Sequence, residues 1–382
     1  MKRWSRTLLV ACSWTLSACG GGTSVPSGPP ATPTPPAPTP MPAPAFLIVR
    51  EETESIRSYA VQNDGTLALR SVTEASPGSF GLLAEPGGRL VFELADIANL
   101  KSCCRSESEV ILMTYEMAAN GALSLSDTIG LLQDPPIVGA VTSRSLYLLT
   151  PEARHNATFH VLPINGSGRE GTFEAATFQF PLAMALSPTE RSFYVVGSSS
   201  GGSEANVNLE GYRLNADGSS VFIQSVTLPS AAVQLAIHPS GRFVYAATLD
   251  NLTPSPGTGQ ILIYGADGAG GLVQAGSVPA AIGALTPHPD GRFLYETRGN
   301  EIDLYAVDSG TGALTRLDRV TTTAVPSSTS RWTADPSGRF LYGTGAGQIW
   351  GYAIGTFGSL RFLGSVGTGQ GDPIIVTPTT EH

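Results

Sequence analysis

Glu296, Arg298 and Arg331 form the most chemically suggestive pattern in this 382-residue chain. Glu296 and Arg298 stand two apart in Phe293-Leu294-Tyr295-Glu296-Thr297-Arg298, a run that reads as a β-strand, so both side chains leave one face. Arg331 opens the next expected strand, at Trp332. Two guanidiniums can hold a carboxylate or polarise a carbonyl, and a neighbouring Glu can activate water. The same groups can instead make a structural salt bridge between neighbouring repeats.

Four more side chains suit an anionic ligand. Gln234 occupies a position that is Gly81, Ala183 or Ala284 in other repeats, and Glu93 one that is otherwise mostly apolar. Arg154 and His155 lie together in a connecting segment that reads as a loop. His238 and His288 precede the same turn in consecutive repeats, where Glu85 and Asp335 stand elsewhere, so they read as turn residues rather than a catalytic pair. No phosphate-binding loop or Cys/His metal spacing occurs, and no cofactor or metal is expected.

A repeat must position these residues. Pro239-Ser240-Gly241-Arg242-Phe243-Val244-Tyr245 returns as Pro289-Asp290-Gly291-Arg292-Phe293-Leu294-Tyr295 and as Pro336-Ser337-Gly338-Arg339-Phe340-Leu341-Tyr342. Each is a turn leading into a strand, and a later strand in each unit centres on Tyr59, Tyr115, His160, Tyr212, Tyr264, Tyr305 or Tyr352. A β-rich period of about 40 to 55 residues indicates a propeller. The expected fold is all-β: a seven-bladed β-propeller over 46–382 with four antiparallel strands per blade. The chain enters on a second-strand sequence, Phe46-Leu47-Ile48-Val49, and ends on a first-strand one, Ile374 to Pro378. The C-terminal strand is therefore expected to join the first blade and close the ring. His160 stands where the other units have Tyr, which favours a packing role.

These turns, with Tyr305-Ala306-Val307-Asp308-Ser309-Gly310-Thr311-Gly312-Ala313-Leu314, resemble the seven-bladed lactonase family, which includes a 6-phosphogluconolactonase. The resemblance spans Phe46 to Pro378 and rests on structural turns, so it implies a fold more strongly than an activity. The leading expectation is a protein that binds a partner or a small anionic ligand at the propeller mouth. The alternative is a lactone hydrolase with Arg298 and Arg331 as electrophilic stabilisers and Glu296 as base. A TolB-like assembly scaffold is the third reading.

Residues 1–18 read as a lipoprotein signal peptide: Lys2, Arg3 and Arg6, an apolar run, then Leu16-Ser17-Ala18-Cys19, with Cys19 the lipidation site. The uncharged, proline-rich segment 19–45 reads as an extended tether. The expected address is the bacterial cell envelope, at the outer membrane, with the lipid as the sole membrane contact. Loss of three basic and no acidic residues with the signal takes the net charge from −9 to −12, which disfavours nucleic acid as a partner. Cys103 and Cys104 are the only other cysteines of the mature chain, and in an oxidising compartment they can pair as a vicinal disulfide.

Overall fold

Alternating apolar strands separated by Gly-containing turns fold, in a computed structural model, into seven sheets of four antiparallel strands, with no helix among the described residues. The structure describes residues 45–51, 54–96, 110–132, 138–150, 157–164, 171–174, 180–198, 207–230, 232–249, 259–280, 283–322, 332–345, 347–367 and 370–376. Cys19, Cys103, Cys104, Arg154, His155 and Arg331 lie outside the described residues. Six blades use consecutive strands. Blade one combines Gln370–Val376 with Phe46–Glu51, Ser55–Val61 and Leu67–Glu74, pairing Phe46 with Val376 and Leu47 with Ile375. The closure expected from the two chain ends is thus present, and it brings blade one to four strands like the other six.

The repeated motif makes the joints between blades. Tyr245, Tyr295 and Tyr342 donate their hydroxyls to the carbonyls of Gly312, Gly358 and Gly65 in the next blade's outer turn, at 3.2, 3.0 and 2.7 Å. The arginine of each turn spans the same joint: Arg242, Arg292 and Arg339 lie over the rings of Phe243, Phe293 and Phe340 and reach carbonyls of the following blade. Those rings fill the gap against Gly312, Gly358 and Gly65, and Phe46 does the same against Gly121. His238 and His288 bridge by Nε2 to the carbonyls of Gly291 and Gly338, each at 2.8 Å, which gives both a place in the joints. Apolar clusters between sheets, such as Tyr245, Ala247 and Ile261 of blade five with Leu294 and Tyr305 of blade six, complete the core.

Candidate functional site

In blade six the second strand, Phe293–Arg298, pairs with Glu301–Val307, and that strand pairs with Leu314–Thr321. Residues directly opposite share a face, so three rows stack on one side of the sheet. Leu294 with Tyr305 is the first, Glu296 with Asp303 and Arg319 the second, and Arg298 with Glu301 the third. Leu294 and Tyr305 pack against blade five, so this whole face turns toward it. The rows run from apolar to charged along the strand.

Glu296 is 2% exposed. Its Oε2 accepts the Tyr305 hydroxyl at 2.9 Å, while its Oε1, also buried, has no hydrogen-bond partner among the described residues. Burial pushes the Glu296 carboxyl above the usual carboxylate range, and the charge of Asp303 adds to this. The Tyr305 bond and the Arg298 and Arg319 guanidiniums oppose the shift without reversing it. Arg319 grips Asp303 with two bonds of 2.6 Å and reaches Glu301 at 3.1 Å. Arg298 is held only loosely, 3.8 Å from Glu301, with about a third of its side chain exposed (32%). Blade six therefore presents a buried carboxylate with a spare oxygen and, one row outward, a guanidinium with spare donors. The ion pairs lie within one blade rather than bridging two.

Glu93 in blade two has the same register as Glu296, one residue beyond the Tyr position of the second strand. It is fully buried and also takes a hydroxyl from a third-strand tyrosine, Tyr115, at 2.7 Å. Its other oxygen accepts the Ser76 backbone N–H at 3.0 Å. With both oxygens bonded, Glu93 ties blade two to the segment arriving from blade one, although burial raises its pKa too. Blade four reaches a similar pairing by another route: Tyr212 bonds Glu210, two residues earlier on the same strand, at 2.5 Å. Glu51 accepts Ser55 Oγ and lies 2.7 Å from Arg57.

Among the remaining sequence candidates, Gln234 lies opposite Ala247 in register, on the face of blade five that turns toward blade six. It shares the junction with Glu296. His160 is half-buried with Nε2 3.2 Å from Thr150 Oγ1, within its own blade. Arg319, Asp303 and Glu210 were not singled out from the sequence. Their signal is a charge two residues before the third-strand tyrosine, or opposite that position, where other blades carry Leu262 or Trp350.

The architecture and its face of carboxylates and guanidiniums define a seven-bladed propeller with a carboxyl group buried between blades five and six. Solved structures similar to it include a gluconolactonase and two putative 6-phosphogluconolactonases. The Pseudomonas aeruginosa periplasmic gluconolactonase is 21% identical, with a TM-score of 0.67 over 88% of this chain and 100% of that one. A putative 6-phosphogluconolactonase from Bacteroides fragilis is 15% identical, with a TM-score of 0.68 over 89% and 100%. Another from Bacteroides uniformis is 17% identical, with a TM-score of 0.68 over 88% and 100%. At these identities the likeness is one of fold. No family model matches the chain, and no curated protein matches it.

Proposed function

We propose that this chain is a lactone hydrolase whose reacting centre lies at the blade five–blade six junction. The observation that carries the reading is the unpartnered Oε1 of Glu296, set against the two-fold bonding of Glu93 in the same register. A carboxylate with one oxygen oriented by Tyr305 and the other unbonded is placed to take a proton from water. The water oxygen then bonds to the lactone carbonyl carbon, and Arg298 stabilises the oxyanion. Collapse breaks the ring C–O bond, and the proton held by Glu296 passes to the departing alkoxide, leaving a hydroxy acid. Arg331, outside the described residues, belongs to the proposal as a second guanidinium. The likeness to a gluconolactonase and to two putative 6-phosphogluconolactonases supports the same class. The lipid anchor at Cys19 belongs to the proposal too, and it makes the substrate an extracytoplasmic lactone.

The test is hydrolysis of a panel of sugar lactones by the full mature chain, corrected for spontaneous opening, beside Glu296→Gln and Arg298→Ala. The expected loss is about 10²- to 10⁴-fold in kcat for Glu296→Gln and about 10²- to 10³-fold for Arg298→Ala. Turnover undiminished in Glu296→Gln would overturn the assignment. Saturable lactone binding with no turnover would return the site to ligand binding alone.

A further inference from the structure

The opposite ends of the strands hold a second candidate site. At four joints a phenylalanine fills the gap against the next blade's turn, but the backbone register puts Ser145 and Ser192 at that position in blades three and four. The turns around these two joints border a cleft of about 720 Å³, a volume in the range of small-molecule sites. Arg144, Arg191 and Arg213 line it.

Two carboxylates share the cleft, and both face neutral donors rather than the arginines. Glu190 stands at the glycine position of its Pro-x-Gly-Arg turn and keeps the left-handed backbone there, with φ of 52°. That conformation is costly for a residue with a side chain. It brings the Glu190 carboxylate onto the Ser143 backbone N–H and hydroxyl at 2.8 and 2.6 Å. Asp267 accepts the backbone N–H groups of Ala269 and Gly271 at 2.7 and 2.9 Å. Arg144 reaches one carbonyl, that of Ala216, at 3.1 Å. Among the described residues none of the three guanidiniums has an ion-pair partner. Without a phenylalanine after it, Arg191 has no neighbouring ring of the kind that Arg242, Arg292 and Arg339 lie over.

We propose that this cleft binds a small organic or inorganic polyanion, a di- or tricarboxylate or a pyrophosphoryl group, through Arg144, Arg191 and Arg213. Planar guanidiniums match both chemistries, and each carries unused donors. In a chain of net charge −9, three cations that line one cleft without anionic partners among the described residues are matched by a ligand that supplies the negative charge.

The experiment is calorimetric titration of the full mature chain with citrate and, separately, pyrophosphate at low ionic strength. It reads binding and so is independent of any lactonase activity. Saturable one-to-one binding of either probe is expected, and the probe that binds identifies the chemistry. Arg191→Ala and Arg213→Ala should each weaken it about tenfold or more. Ser192→Phe should weaken it as well, by returning a ring to the gap, whereas Arg361→Ala on an exposed outer strand should leave it unchanged. Thermal melts confirm that each variant is folded. Binding of neither probe, affinity retained in both cleft arginine variants, or an equal loss in Arg361→Ala overturns the proposal.

Discussion

Gly65→Ala and Gly218→Ala form a matched pair that measures how much the aromatic plugs contribute to the ring. Both glycines occupy the same turn position with φ of 85°, and both offer their carbonyl to a tyrosine hydroxyl of the preceding blade. Each is preceded by an Asp that accepts bonds from the residue after the glycine, Thr66 or Ser219. They differ in what a Cβ would meet. At Gly65 it would lie 2.4 Å from the Phe340 ring, while at Gly218 the nearest atom is Ser145 Oγ, a side-chain end, at 3.0 Å. The left-handed backbone costs an alanine about 1–2 kcal/mol at either site. Driving a methyl group into a packed ring adds about 1–3 kcal/mol. Gly218→Ala should therefore cost about 1–2 kcal/mol and Gly65→Ala about 2–5 kcal/mol. Equilibrium urea unfolding of the mature chain, followed by circular dichroism with the slope held common, reads the difference between the midpoints. Equal costs would refute the reasoning, because the phenylalanine would then not be the closely packed element of the joint.

The remaining predictions concern Glu296 with its partner Tyr305, Glu93 and the turn histidine His288. The folded-state pKa of Glu296 lies above its unfolded value, so the native state holds the extra proton and stability falls as pH rises between the two values. Glu296→Gln should match the wild type in urea at a pH below the ordinary carboxylate range and exceed it at neutral pH; an unchanged difference across that window would exclude the buried charge as the cause. If Glu296 is the base, kcat rises with pH through the same raised pKa. Tyr305→Phe removes the hydroxyl that favours the ionised form, so the inflection should move to higher pH, and a profile that stays in place would remove Tyr305 as a positioning residue. Glu93→Ala leaves the Tyr115 hydroxyl and the Ser76 N–H without their acceptor and should destabilise by about 1–3 kcal/mol per orphaned group, with kcat of the folded fraction unchanged. His288→Ala should lower stability by about 1–3 kcal/mol through loss of its bond to Gly338, again with kcat preserved; a fall in kcat at full stability would show a catalytic part for the histidine.

The ring was legible in the chain because its determinants are local. A Pro-x-Gly-Arg turn, a following aromatic and a tyrosine two residues later specify a hairpin without reference to distant residues, and the three near-identical copies set the register for the rest. Blade closure followed from the mismatch between the strand that begins the domain and the strand that ends it. The departures from register, Glu93, Gln234, Glu296 and Arg298, were equally visible. What distinguishes them was not. Glu93 and Glu296 are interchangeable as letters in a repeat, and only the arrival of the Ser76 backbone at one and not the other makes the first a tie and the second a carboxylate with a spare oxygen. Likewise, the gap left by Ser145 and Ser192, where other blades place a phenylalanine, shows only against the turns of the neighbouring blades. A strand's own sequence determines which way its side chains alternate. Which polar atom is left unbonded depends on groups brought in from other blades, and those are placed only when the whole ring closes.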